Sequence, residues 1–140
     1  MAREAGHTNP KVMCSYFTSV AHSKEEEDRA RDRLLYYLKG VVPAFPSDRS
    51  RIPPHIAYFA DIVERIQSMT VGDLGDRSIV TGDVEHCVQI LKQCEDGGID
   101  EVILYFNFGR LSHTDTLKSM ERFAKEVMPR FAEKQAAVTA

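Results

Sequence analysis

Two stretches of the chain are apolar at nearly every position, and residues that stop regular structure bound each of them. The first spans residues 12–21 (VMCSYFTSVA), between Pro10 and Ser23, and the second spans residues 101–108 (EVILYFNF), before Gly109. Short runs rich in β-branched and aromatic residues between such boundaries are typical of buried strands. We therefore predict two strands, each covered on both faces of a sheet.

Helices are predicted after the first strand and on either side of the second one. Ser23 and Glu26 form a capping box that starts a helix reaching about Lys39. Asp83 is the expected N-cap of a helix that reaches about Glu95. The polar turn at residues 112–115 starts the last helix. Its apolar positions keep a helical period through Leu117, Met120, Phe123, Ala124, Val127 and Phe131.

The remaining segments are predicted as loops, an inserted helix and a helix tail. Residues 40–52 contain two prolines and mixed polar residues, which indicates a loop, and Pro53-Pro54 then opens a helix. Residues 72–81 have two glycine–aspartate turn signals and are predicted to be irregular. The first ten residues resemble a helix tail that ends at Gly6 and at Asn9-Pro10. The apolar face of the inserted helix consists of Ile56, Phe59, Ala60, Val63 and Ile66.

This order of elements predicts an α/β fold with two parallel strands and about four helices, because a helix between two strands is typical of βαβ units. We expect one domain over residues 1–140. Residues 1–40 supply a strand and a helix, residues 41–81 a loop and the inserted helix, and residues 82–134 a helix, the last strand and the last helix. Two strands cannot bury their own edges, so a homo-oligomer or a complex is expected.

Composition narrows the class of protein. The chain has 140 residues, 43% apolar and 28% charged, which indicates a globular domain. Its net charge of −3, without a basic run, argues against nucleic-acid binding. The longest apolar stretch, residues 102–108, is far shorter than the ~20 residues of a membrane span. The amino terminus has no apolar signal segment, so a cytoplasmic protein is predicted.

The cysteines and histidines give no sign of a metal site or a disulfide. Cys14, Cys87 and Cys94 form no CxxC pair, and the histidines have no ligand spacing with them, so no metal is expected. Cys87 and Cys94 share one helix face, but a separation of about 10 Å excludes a bridge between them. Reduced cysteines are therefore predicted.

Residues 79–131 resemble the carboxyl-terminal part of the bacterial luciferase-like monooxygenases, which are flavin- or deazaflavin-dependent enzymes on a TIM barrel. The glycine-led helix start at Gly82-Asp83 is similar, although Val84 stands where that family usually has a proline. The first strand and its helix, with Val20-Ala21-His22 before the capping box, resemble the seventh βα unit of the barrel. The other similar segments are residues 98–102 (GIDEV), 106–109 (FNFG), His113, 119–124 (SMERFA) and 126–129 (EVMP).

This resemblance implies the terminal βα units of a (β/α)8 barrel and a flavin-dependent oxidoreductase, with FMN or a deazaflavin as cofactor. A complete barrel takes ~250 residues and eight strands, so activity would require self-assembly or a partner chain that carries the missing strands. An alternative is a non-catalytic oligomerisation or binding module derived from that family. A third alternative is that the chain is a piece of a longer product.

The candidate site lies where the strands end, since TIM barrels place functional residues there and in the following loops. Asn107 interrupts an apolar strand and would need a hydrogen-bond partner such as a flavin edge or, alternatively, neighbouring backbone. Arg110, after Gly109, would face an anionic ligand or, alternatively, solvent. Asn107, Gly109 and Arg110 are therefore the predicted cofactor-binding residues.

Four further residues near the strand ends are predicted to face a substrate. Thr18 and Tyr105 lie near the ends of the two strands. His22 follows the first strand and could act as an acid or base near neutral pH, with an ordinary loop histidine as the alternative. His113 lies beside the start of the last helix, where helix capping or surface exposure is the alternative.

Overall fold

The computed structural model describes residues 6, 8, 10–45, 50 and 52–132 and shows an α/β fold with a three-stranded parallel sheet. The helix tail predicted before Gly6 lies outside the described residues. Short 3-10 turns lie at Val42–Ala44, Pro54–Ile56 and Val71–Asp73. The strands and main helices of the described part are β1 (Met13–Val20), α1 (Lys24–Val41), α2 (Tyr58–Ser68), β2 (Ile79–Gly82), α3 (Val84–Asp96), β3 (Glu101–Tyr105) and α4 (His113–Arg122).

The sheet has the order β2-β1-β3, and the two outer strands pair with different halves of β1. Strand β3 runs beside the first half, from Met13 to Phe17, and β2 runs beside the second half, from Phe17 to Val20. The prediction of two strands was therefore wrong, because β2 falls in the segment predicted to be irregular. With only four residues, all of them buried, it is too short to show a period in the sequence.

Helices cover both faces of the sheet and form two apolar clusters. One cluster joins α3 and the end of α4 to the face of β1 that carries Tyr16 and Val20. The other joins α1 to the opposite face, where Phe17 and Ile79 contact Ala30 and Leu34. Burial of these two clusters is the main source of stability, since apolar area removed from water contributes about 25 cal/mol per Å².

Strand β3 is not covered on both faces, contrary to the prediction. On one face of the sheet, helix α1 packs over β1 and β2. The side chains that β3 directs to the same face are therefore exposed to solvent. Ile103 and Tyr105 are 47% and 50% exposed, and the neighbouring Met13 of β1 is 56% exposed. We call these three side chains the exposed β3 face; one edge of β3 also has no neighbouring strand among the described residues.

The predicted helix starts are mostly confirmed, because local hydrogen bonds fix them. The Ser23 hydroxyl accepts from the Glu26 amide at 3.2 Å, and the Asp83 carboxylate accepts from the His86 amide at 2.8 Å. Ser112 caps α4 in the same way. Helix α1 runs two residues beyond the predicted end at about Lys39.

Two helices and one strand differ from their predicted extents. Helix α2 begins at Tyr58, after a 3-10 turn, rather than at the two prolines. Helix α4 changes into a π-helical turn at Phe123–Val127, and its predicted apolar face is split, since Leu117 and Met120 are exposed. Strand β3 ends at Tyr105. None of the helices in the described part of the chain has the length and apolarity of a membrane span.

Candidate functional site

At the carboxyl end of β1, side chains of helix α4 make the hydrogen bonds that a neighbouring strand would otherwise make. Since β3 pairs only as far as Phe17, the last three residues of β1 have no β3 partner. The Val20 N–H instead donates to the Ser119 hydroxyl at 2.8 Å. The Val20 carbonyl accepts from the Arg122 guanidinium at 3.1 Å. The end of β1 is therefore closed by polar side chains of α4.

A group of charged residues surrounds this end of the strand, and we call it the β1-end cluster: Glu26, Arg29, Asp115, Lys118 and Arg122. Arg122 contacts the Glu26 carboxylate at 2.7 Å, and the His22 amide donates to the same carboxylate oxygen at 2.8 Å. Arg29 contacts Asp115 at 3.6 Å. The Arg122 guanidinium, followed by the His22 amide, holds the pKa of Glu26 below its usual value.

The cavity inside the β1-end cluster is small, with a volume of about 20 Å³. That volume is sufficient for about one water molecule. The Glu26 carboxylate is paired with Arg122 and its pKa is lowered, so Glu26 is a fixed negative charge at neutral pH rather than a general acid. In a single copy of the chain, the described residues therefore close this end of the sheet and do not enclose a flavin there.

The three predicted cofactor-binding residues lie together in the loop between β3 and α4. Asn107 is exposed beyond the end of β3, so the expectation of a polar residue inside a buried strand was wrong. A Cβ on Gly109 would lie 1.9 Å from the Arg33 carbonyl oxygen, and α1 thus fills the space beside this glycine. Arg110 has a φ of 58°, and its guanidinium lies 5.8 Å from the centre of the Tyr36 ring.

The four predicted substrate-facing residues do not converge on one pocket. Thr18 is fully buried, and its hydroxyl lies 3.4 Å from the Tyr16 carbonyl oxygen. Tyr105 pairs with Phe17 in the register, so its side chain lies on the face opposite to Thr18. His22 and His113 are both exposed, one just after β1 and the other at the start of α4.

The structure also brings together a pair of thiols that sequence reasoning missed. Cys14 of β1 and Cys94 of α3 line an open cavity of about 300 Å³ at the amino-terminal end of the sheet, together with Tyr16, Asp76 and Arg77. In the sequence, Cys94 is related by spacing to Cys87 of the same helix and not to Cys14. The contact of Cys94 with β1 depends on the rotation of α3 over the sheet, which the linear spacing does not reveal.

A second missed contact joins His86 to Asp76, whose nearest side-chain atoms are 3.0 Å apart. Among the described residues, no three metal-binding side chains form a group that could hold an ion. No protein-family model, curated protein or solved structure matches the chain. The functional proposals therefore depend on the sequence pattern and on the geometry of the described residues.

Proposed function

We propose that this chain supplies the terminal βα units of a luciferase-like, flavin-dependent oxidoreductase that is complete only in an assembly. The sequence pattern of residues 79–131 is the origin of the proposal. The observation that carries it is the parallel pairing of β1 with β3, with α3 leading into β3 and α4 following it. Helix α3 and the π-helical turn that continues α4 contact the same apolar cluster, as the outer helices of two neighbouring barrel units would.

Two elements limit how much of the chain this proposal covers. Strand β2 pairs with the other edge of β1, and α1 lies on the face that a barrel keeps for its interior. A sheet with helices on both faces and this strand order is typical of doubly wound α/β folds. The proposal of a barrel therefore concerns the unit formed by β1, α3, β3 and α4.

The described residues of one copy do not fit a flavin. The cavity at the end of β1 has room for about one water molecule, and the Arg33 carbonyl occupies the space beside Gly109. The loop that contains Asn107 and Arg110 is nevertheless exposed, and the left-handed backbone of Arg110 is strained, as functional loops often are. A cofactor site at this loop would therefore need walls from another chain.

The exposed β3 face supports association with such a chain. Met13, Ile103 and Tyr105 form an apolar surface beside the edge of β3 that lacks a neighbouring strand in the described part of the chain. Tyr37 of α1, which is 40% exposed, borders it through a ring contact with Phe17 at 5.3 Å. Exposed apolar patches next to an unpaired strand edge favour pairing with another sheet. The occupant is a second copy or a chain that carries further strands.

The second candidate function is a non-catalytic oligomerisation module. The same exposed β3 face supports it, and the small cavity at the end of β1 favours it over an enzyme of one chain. This candidate shares the prediction of association with the first one. The two differ in whether the associated protein binds flavin.

A titration of the purified chain with FMN, followed by flavin fluorescence, distinguishes the two candidates. Saturable binding with a Kd below ~10 μM, about −7 kcal/mol, supports the oxidoreductase. A folded, associated chain that leaves FMN fluorescence unchanged supports the module. The Asn107→Ala variant tests where the flavin binds, because Asn107 lies in the exposed loop and outside the β1-end cluster. Weaker binding by this variant would place the flavin at the loop.

A further inference from the structure

The loop between α3 and β3 holds the end of α3 against the start of β1. The Ile99 amide donates to the Cys94 carbonyl at 3.0 Å, and the Asp100 amide donates to the Val12 carbonyl at 2.8 Å. Cys14 lies on the face of β1 that carries Tyr16, which packs against the cluster containing α3. These backbone contacts bring the Cys94 side chain over Cys14, although the two residues are far apart in the chain.

The side chains of Cys14, Tyr16 and Cys94 line the same open cavity. Desolvation, followed by the proximity of Cys94, raises the pKa of the Cys14 thiol and of the Tyr16 hydroxyl. Asp76 and Arg77 also line the cavity that the two thiols share. Because both cysteines are only partly buried, a small solute in this cavity reaches their sulfur atoms.

The third cysteine is in a different environment. Cys87 is fully buried, its thiol donates to the Gly82 carbonyl at 3.7 Å, and burial raises the pKa of this thiol to about 12. A thiol with these properties reacts slowly, since the thiolate is the nucleophile. The chain therefore has one accessible thiol pair and one inert thiol that serves as an internal control.

We propose that Cys14 and Cys94 are a redox site, which a peroxide converts into a reversible intramolecular disulfide. The Cys94 sulfur attacks the O–O bond of hydrogen peroxide as a thiolate and becomes a sulfenic acid, and the hydroxide that leaves takes up the proton released by the thiol and departs as water. The second sulfur then displaces the hydroxyl group, which leaves as a second water, and the S–S bond forms. Two thiols lose two electrons and two protons in total, and the peroxide is reduced to two waters. This proposal does not depend on the proposed function.

The bridge would join the end of α3 to the start of β1. Disulfides restrict the unfolded chain, and they do so more when the loop that they close is long. The loop between Cys14 and Cys94 contains α1, α2 and β2. The oxidised chain is therefore expected to unfold at a higher denaturant concentration than the reduced chain.

The test is oxidation of the full chain with hydrogen peroxide, followed by thiol titration under denaturing conditions and by peptide mapping. The reduced chain has three cysteines, and the expected result is the loss of two thiols, with a Cys14–Cys94 linkage that dithiothreitol reverses. Cys87→Ser is the matched control and should form the same linkage. Cys94→Ser and Cys14→Ser should form no intramolecular bridge.

Other outcomes would overturn the proposal. Retention of all three thiols at peroxide concentrations that oxidise free glutathione would show that the pair is not reactive. A linkage that includes Cys87, or a bridge between two chains, would show that Cys14 and Cys94 are not an intramolecular redox pair. Because peptide mapping of the unmodified chain identifies the linkage directly, the test holds even if a serine variant fails to fold.

Discussion

The backbone N–H of Val20, at the end of β1, donates to the hydroxyl of Ser119 on α4 at 2.8 Å, across 99 positions of sequence. Both residues are buried. The hydroxyl takes the place that a carbonyl of a neighbouring strand would have in a longer sheet. Together with the hydrogen bond from Arg122 to the Val20 carbonyl, this contact fixes α4 against the strand whose end carries the β1-end cluster.

Replacing Ser119 with alanine should destabilise the fold by about 1–3 kcal/mol, because the buried Val20 N–H would lose its partner. Urea denaturation measures the change in the free energy of unfolding. Thr114→Ala, an exposed position on the same helix, is the matched control and should stay within about 0.5 kcal/mol of the parent. Equal stability of the two variants would show that water or a shifted α4 satisfies the Val20 amide.

The Glu26→Gln variant should lose stability at neutral pH and should differ less from the parent in acid. The pKa of Glu26 lies below its ordinary value of 4.5, chiefly because of the Arg122 guanidinium. Its ionised form therefore contributes stability above about pH 4.5, and this contribution is lost as the pH falls through the lower folded-state pKa. Unfolding measured between pH 7 and pH 3 tests this expectation.

The control for that series is Glu25→Gln, which removes the neighbouring carboxylate. Glu25 pairs with Arg29 at the surface, where its side chain is 84% exposed. Such pairs contribute about 0–1 kcal/mol. A deficit in Glu26→Gln that stays constant down to pH 3 would mean that the carboxylate charge is not the cause.

Two glycine variants separate the effect of a steric clash from that of backbone strain. Gly98 and Gly109 both have positive φ, but only Gly109 has a neighbour, the Arg33 carbonyl oxygen, in the space of a Cβ. Gly98→Ala should cost about 1–2 kcal/mol from the left-handed backbone alone. Gly109→Ala should cost about 3 kcal/mol or more, since α1 must also move. Similar losses in thermal unfolding would contradict the close approach of α1.

Local signals in the sequence were sufficient to predict the helix starts. They were not sufficient to predict the contacts between distant elements. Ser23 and Asp83 cap their helices through hydrogen bonds to residues three positions away, so a short window contains the whole interaction. Strand β2 has only four residues, and its pairing with β1 depends on α1 and α2 returning the chain to the sheet. No pattern within those four residues predicts that return.

The candidate site was predicted less well, for the same reason. Asn107 was placed inside a strand because its neighbours are apolar, whereas the strand ends at Tyr105 and Phe108 turns into the cluster under α1. Thr18 and Tyr105 both lie near strand ends in the sequence, but the register places their side chains on opposite faces. The facing of a side chain depends on the register, which distant elements determine.

Association through the exposed β3 face predicts that a charge placed there will keep the chains apart. Ile103→Lys should shift the chain toward monomer in a dilution series, because the lysine would have to lose its hydration in the contact. Ile62→Lys on α2 replaces a side chain of similar exposure, 42% against 47%, and should leave association unchanged. Equal effects of the two lysines would locate the contact elsewhere.

The most direct measurement is sedimentation equilibrium of the chain with FMN, recorded at both a protein and a flavin wavelength, for the parent and for Ile103→Lys. The parent is expected to associate at micromolar concentration, with flavin absorbance following the associated species. The variant is expected to be largely monomeric and to leave FMN free. A parent chain that stays monomeric, or that associates without carrying flavin, would contradict the proposal of a flavin site built by assembly.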